Sequence, residues 1–120
     1  MIALERPDVL ARFALLAGLD DAQPCLPLCE DAAARLERQE REGCGEEALA
    51  PLTAAAAALA FYRYALAQAG GLPGSFAAGD VRVAAGAANV APARALWRES
   101  LADAAPYLKD ADFLFRRVLP

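Results

Sequence analysis

Apolar side chains recur at helical spacing in four stretches of this chain. In the first, Val9, Phe13, Leu16 and Ala17 fall three or four residues apart with Leu10 beside them, which places them on one helix face. Pro7 and Asp8 suit the opening turn of such a helix and Gly18 its end. The second stretch opens at Leu19-Asp20-Asp21, with an Asp as N-cap. Pro24 and Pro27 must lie in or near its first turn, so regular helix is expected only from about residues 23–25. Leu28, Cys29, Ala32, Leu36 and Gln39 form its apolar face. On the other face Asp31/Arg35, Glu37/Arg41 and Arg38/Glu42 are spaced for i,i+4 ion pairs, each worth a few tenths of a kcal/mol, which reads as a solvated surface. Gly43-Cys44-Gly45 is the expected end.

The third stretch is the longest and predicts a helix from near Glu46 to Ala69. Leu49, Leu52, Ala56, Leu59, Arg63 and Leu66 share one side, and Pro51 should kink it or set its regular start near Ala50. Ala54–Ala58 make a smooth surface that lets another helix approach closely. Phe61, Tyr62 and Tyr64 point in different directions, so one at least leaves the stripe, either to cap the core or to meet another subunit. Gly70-Gly71 closes the pattern. Asp80-Val81-Arg82-Val83 then alternates polar and apolar, the period of a half-buried strand. Ala84–Ala88 with Asn89-Val90 could turn it into a short hairpin, which alone is marginal in water.

Pro92 suits the opening turn of a fourth helix, with Asn89 near its cap. Ala95, Leu96, Glu99, Leu101 and Ala102 carry that helix to about Leu108, Trp97 lies within it, and Pro106 should tighten its last turn. After the polar Lys109–Asp112, Phe113–Pro120 is apolar and strand-like in composition. The expected fold is therefore mainly α: a four-helix bundle-like domain over 1–110, with a short β-hairpin or loop between the third and fourth helices. An extended C-terminal docking tail over 111–120 completes it.

Composition changes this picture in two ways. The hydrophobic share is 58%, but about a quarter of the chain is alanine, which forms helix well and buries little area. Such a chain packs closely yet gains limited stability alone, so neighbouring subunits are expected to contribute. The net charge of −4 runs against nucleic-acid binding, which needs a clustered basic surface. Met1–Pro7 has no signal-peptide pattern, and the Ala48–Tyr62 run reads as too short and too rich in alanine to span a bilayer. A soluble, cytoplasmic protein is the expectation.

Candidate chemistry is sparse. There is no histidine, which removes the commonest general base and metal ligand. The three cysteines are an odd number and disfavour a disulfide framework. Cys25 and Cys29 share a helix face and read as small buried apolar groups; a zinc site would need all three thiolates plus a carboxylate or a partner. Ser75 and Ser100 lack a nucleophile-elbow context, and Gly70–Gly74 lacks the lysine and following helix of a phosphate loop. Asp20/Asp21 and Glu46/Glu47 are accounted for as helix starts. No enzyme, cofactor or metal site is expected.

The order of segments carries more. A long third helix ending in Phe61-Tyr62-Arg63-Tyr64 is followed by Ser75-Phe76-Ala77-Ala78-Gly79-Asp80-Val81-Arg82-Val83, a last helix, and Asp110–Leu119. This resembles the small head–tail connector (adaptor, or head completion) proteins of tailed phages and prophages. In those a Ser-Phe/x-x-Gly-Asp-Val-x-Val segment follows the long helix; Ser75, Phe76, Gly79, Asp80, Val81 and Val83 match it. Ala84–Ala88 departs from the family pattern in its run of alanine. The resemblance implies a virion protein at the capsid vertex, made in the bacterial host cytoplasm. There a homo-oligomeric ring, commonly a dodecamer, would bind beneath the portal and extend the DNA channel. It would also dock tail or stopper proteins, with neither membrane nor sequence-specific DNA contact. An acidic balance fits a channel wall that does not grip DNA. Phe113, Phe115, Arg116 and Val118 would contact the portal, partly by strand addition, and the Gly74–Val83 segment the adjacent subunit or the next ring. Two other readings stand beside it: a helical adaptor of a cellular pathway using the tail as a docking peptide, and a thiol enzyme at Cys25 or Cys29.

Overall fold

A computed structural model describes the backbone of residues 3–71 and 82–109 and the side chains of 3–69 and 90–109. Among the described residues the protein is helical and has no named strand. Helix α1 spans Arg6–Ala17, α2 Leu26–Arg38, α3 Leu49–Leu66 and α4 Arg82–Ala104. Short 3₁₀ turns precede α2 (Gln23–Cys25) and α3 (Glu46–Ala48), another follows α4 (Ala105–Tyr107), and a π turn follows α3 (Ala67–Gly71).

The helix ends follow local chemistry. Pro7 sits in the first turn of α1, where its missing N–H is not needed. Gly18 adopts φ 69°, a left-handed conformation that glycine enters without a Cβ clash, and its N–H donates to the Ala14 carbonyl. Pro24 and Pro27 lie in the opening turns before and in α2. Asp21 Oδ1 accepts from the Gln23 N–H at 3.1 Å, but the cap positions of the 3₁₀ turn and of α2 are Ala22 and Cys25 with no side-chain cap, so the expected Asp N-cap is not made. α3 widens at Ala67 into the π turn, whose last described residue is Gly71.

α3 is the central element. It packs against α1, α2 and α4, and α1 and α2 also meet each other. Consequently Leu52, Thr53, Ala55–Ala60, Tyr62 and Ala65 are all buried, almost around the whole helix. The expected stripe is one of these faces through Leu52, Ala56 and Leu59, with Leu49 and Arg63 half-buried, but Leu66 leaves it at 37% exposed. The stripe is turned to α2, since Arg63 lies within electrostatic reach of Arg35 and Asp31. Another face meets α1, where Tyr64 packs edge-on against Phe13 at 5.5 Å between ring centroids. Tyr62 is buried, and Phe61 and Tyr64 pack against the core, so all three aromatics serve this subunit's interior. The run Glu46–Ala69 is long and apolar enough by length and composition to cross a bilayer. Its central place among three helices accounts for that apolarity.

Four expectations need correction. Leu16 belongs to the predicted α1 face but is 38% exposed: Val9 and Phe13 are buried and Leu10, Ala14 and Ala17 pack against the core, while Leu16 lines a groove toward α4. α2 ends at Arg38, so Arg41 and Glu42 lie beyond helical register and the pairs Glu37/Arg41 and Arg38/Glu42 do not form on a helix; Glu37 pairs with Arg6 instead. α4 starts at Arg82, which leaves Pro92 inside the helix rather than at its start. That same start puts Arg82, Val83, Ala84–Ala88 and Asn89-Val90 in helix, not in a hairpin. Four alternating residues are a weak strand signal, and the alanine run that follows favours helix strongly enough to override it. Asp80 and Val81 lie outside the described residues.

Candidate functional site

Most residues singled out by the connector resemblance, namely Ser75, Phe76, Gly79, Asp80, Val81, Phe113, Phe115, Arg116 and Val118, lie outside the described residues. Val83 is within the first turn of α4. What the structure describes is the platform from which both segments leave, and the surface between them.

At one end of the bundle, here the base, the α2 C-terminus and the chain after α4 are tied together. Leu108 forms an antiparallel bridge with Glu40. The Arg41 N–H donates to the Tyr107 carbonyl at 2.7 Å, and the Lys109 N–H donates to the Gln39 carbonyl at 2.8 Å. Leu108 is buried, and the Cys44 thiol donates to the Tyr107 carbonyl at 3.7 Å. The N-terminus joins the same end: Glu37 accepts from Arg6 Nη1 at 2.8 Å, from Arg6 Nη2 at 3.1 Å and from the Leu4 N–H at 2.7 Å. These donors favour the charged carboxylate and hold Glu37 below the usual carboxylate pKa. The root of the Phe113–Pro120 segment is therefore anchored on the α2 side.

On another side, between α1 and α4, the described residues leave the bundle open. A groove of about 240 Å³ is walled by Leu15 and Leu16 from α1 and by Leu96 and Ser100 from α4, with Ala54, Ala57 and Ala58 as its floor. Leu15 is 84% exposed, an outlier for a large apolar side chain in this fold. A second cleft, of about 440 Å³, continues toward the base and shares Arg12 with the first. Asp8 and Glu46 stand on its walls. The groove is apolar in its middle and acidic toward the base. Sequence reasoning missed it; the available signal was the adjacent pair Leu15-Leu16, which a helix turns about 100° apart so that one must leave the core face.

Cys25 and Cys29 lie inside the bundle, free and buried. Burial pushes both thiols up, with Cys29 reaching about 11 and the neighbouring Cys25 adding to its shift. The nucleophilic thiolate is thus disfavoured at neutral pH. Among the described residues no three His, Cys, Asp or Glu side chains gather to hold a metal ion. Trp97 is fully buried against the core, and its indole N–H has no partner among the described residues.

Comparison with protein families, curated proteins and solved structures finds no match to this chain.

Proposed function

We propose that this protein is a structural head–tail connector of a tailed phage or prophage, a ring component beneath the portal that prolongs the DNA channel and receives the tail. The observation that carries the reading is the order of segments. A long alanine-rich helix leads into Ser75-Phe76…Gly79-Asp80-Val81, the matching Arg82-Val83 open the last helix, and the apolar Asp110–Leu119 run follows it. A mainly helical fold suits that reading, and so does an anchored root from which the Phe113–Leu119 run departs. Portal and tail or stopper proteins are the partners it names, with the neck of the virion as location and no catalytic step. A cellular adaptor using the same apolar run as a docking peptide is the second reading, favoured by the apolar groove that the described residues leave between α1 and α4.

Co-expression with the portal encoded in the same genome tests the first reading. Ring-shaped particles containing both proteins, seen by electron microscopy, are the expected result. A chain that stays unassociated with any portal or neck protein of its own genome overturns it. Deleting Phe113–Pro120 separates the second reading, which expects loss of one soluble partner with no ring involved.

A further inference from the structure

We infer that the groove between α1 and α4 receives the Asp110–Pro120 segment of a second copy of this chain. The inference deepens the ring reading by naming a contact between subunits, assigns to that contact the Phe113–Val118 residues that the connector resemblance gives to the portal, and rests on the reading only in that both require self-association. Three observations point to this occupant. The first is the match of apolar surfaces: Leu15, Leu16 and Leu96 stand over an alanine floor, and Phe113, Leu114 and Phe115 are the densest bulky apolar triplet of the chain.

The second is charge order. The groove runs from its apolar middle, past Arg12 on the wall of both clefts, to Asp8 and Glu46 at the base, where two acids stand against that one cation. The segment runs from Phe113-Leu114-Phe115 to Arg116-Arg117. Leu15 and Asp8 are separated by roughly 10 Å along the helix, and Leu114 and Arg117 by about 10 Å in an extended chain. With its aromatics over Leu15, the segment brings its arginines to the two acids.

The third concerns which copy supplies the segment. Its root is bonded to Gln39 and Arg41 just past α2, at the base. A segment turning into its own groove from there would lay Asp110 and Asp112 beside Asp8 and Glu46, like charge on like. A segment from a neighbour, entering at the Leu15–Leu96 end, meets apolar surface first and acids last. Such a contact is heterologous, one surface on a different surface, and closes into a ring when the rotation between copies allows.

The test uses two variants of the full chain, Leu15→Arg in the groove and Phe115→Asp in the segment, followed by sedimentation up to about 100 μM. The unaltered protein is expected to gain mass with concentration, and each variant to weaken association at least about tenfold. Mixed together, the variants should form a one-to-one complex that grows no further, because one retains a sound segment and the other a sound groove. An unaltered chain that remains monomeric, or variants that associate as well as it does, overturns the inference. So does a mixture that stays monomeric, which points to each copy covering its own groove. Association that survives both substitutions leaves the ring reading standing on another contact. Groove-dependent assembly that ignores the portal leaves the groove and removes the connector.

Discussion

The two sides of α3 use similar residues to opposite ends. Toward α2, Ala56 sits among Leu52 and Leu59 and is covered by a helix whose Cys29, Ala32, Ala33 and Leu36 are all buried. Toward the α1–α4 gap, Ala54 lies in a groove that no described element fills, beneath a leucine left in solvent. Alanine brings helices close but contributes little area of its own. The covered side therefore depends on the bulky residues around it, whereas the open side holds apolar surface in reserve.

The comparison can be broken most forcefully from the covered core. Trp97 is the largest fully buried side chain and sits on α4 with Ala93, Leu101 and Ala104, the residues that seat α4 against the core. Replacing it with alanine should cost about 3–5 kcal/mol by denaturant unfolding. A loss under about 1 kcal/mol would mean that α4 is not held as described. A more pointed contrast adds volume on each side of α3. Ala56→Leu must push into the α2 interface and should cost about 1–3 kcal/mol. Ala54→Leu enters the groove and should change stability by no more than about 0.5 kcal/mol. Equal costs would show that the groove is already filled in solution.

How far the sequence foretold this follows from how many neighbours each helix has. α2 has one apolar face, so its spacing named Cys29, Ala32 and Leu36 correctly. α3 is covered from several directions, so a single stripe described only its α2 face, and Ala55, Ala57, Ala58 and Ala60 were buried beyond it. The start of α4 was misplaced because Pro92 is a strong local signal for a first turn, while the helix is carried through it by residues on both sides. The groove was illegible for a different reason. It exists only because α1 and α4 flank α3 without closing over it, and that spacing is a tertiary fact. The residues proposed for partner contact, apart from Val83, lie beyond the described structure, and their placing still rests on sequence order.

At the base, the Arg6–Glu37 fork tests whether the covered side is also tied by charge. Glu37→Gln keeps the shape but loses the ionised acceptor of three donors, and should cost about 1 kcal/mol. The sign with pH is fixed by the lowered carboxylate pKa. The folded protein holds Glu37 ionised more firmly than the unfolded chain does, so its contribution is complete above the ordinary value of 4.5. It is lost as pH falls through the lower folded value. Denaturation at neutral pH and at pH about 3 should thus show the variant's deficit shrinking in acid. A deficit unchanged by pH would assign the cost to packing.

The smallest expected effect is on the open side. Leu15→Arg removes a side chain that is 84% exposed, so its unfolding free energy should stay within about 0.5 kcal/mol of the unaltered protein. Thiol labelling supplies an independent reading of the same variant. Cys29 is fully buried on the inner face of α2, where burial pushes its thiol up to about 11, and should remain unlabelled at neutral pH in both proteins, while the partly exposed Cys44 reacts. If Leu15→Arg speeds labelling of Cys29, the open side supports the core and is not a spare surface. If labelling is unchanged, the leucine is free of structural duty, and any loss of association in the variant belongs to the groove alone.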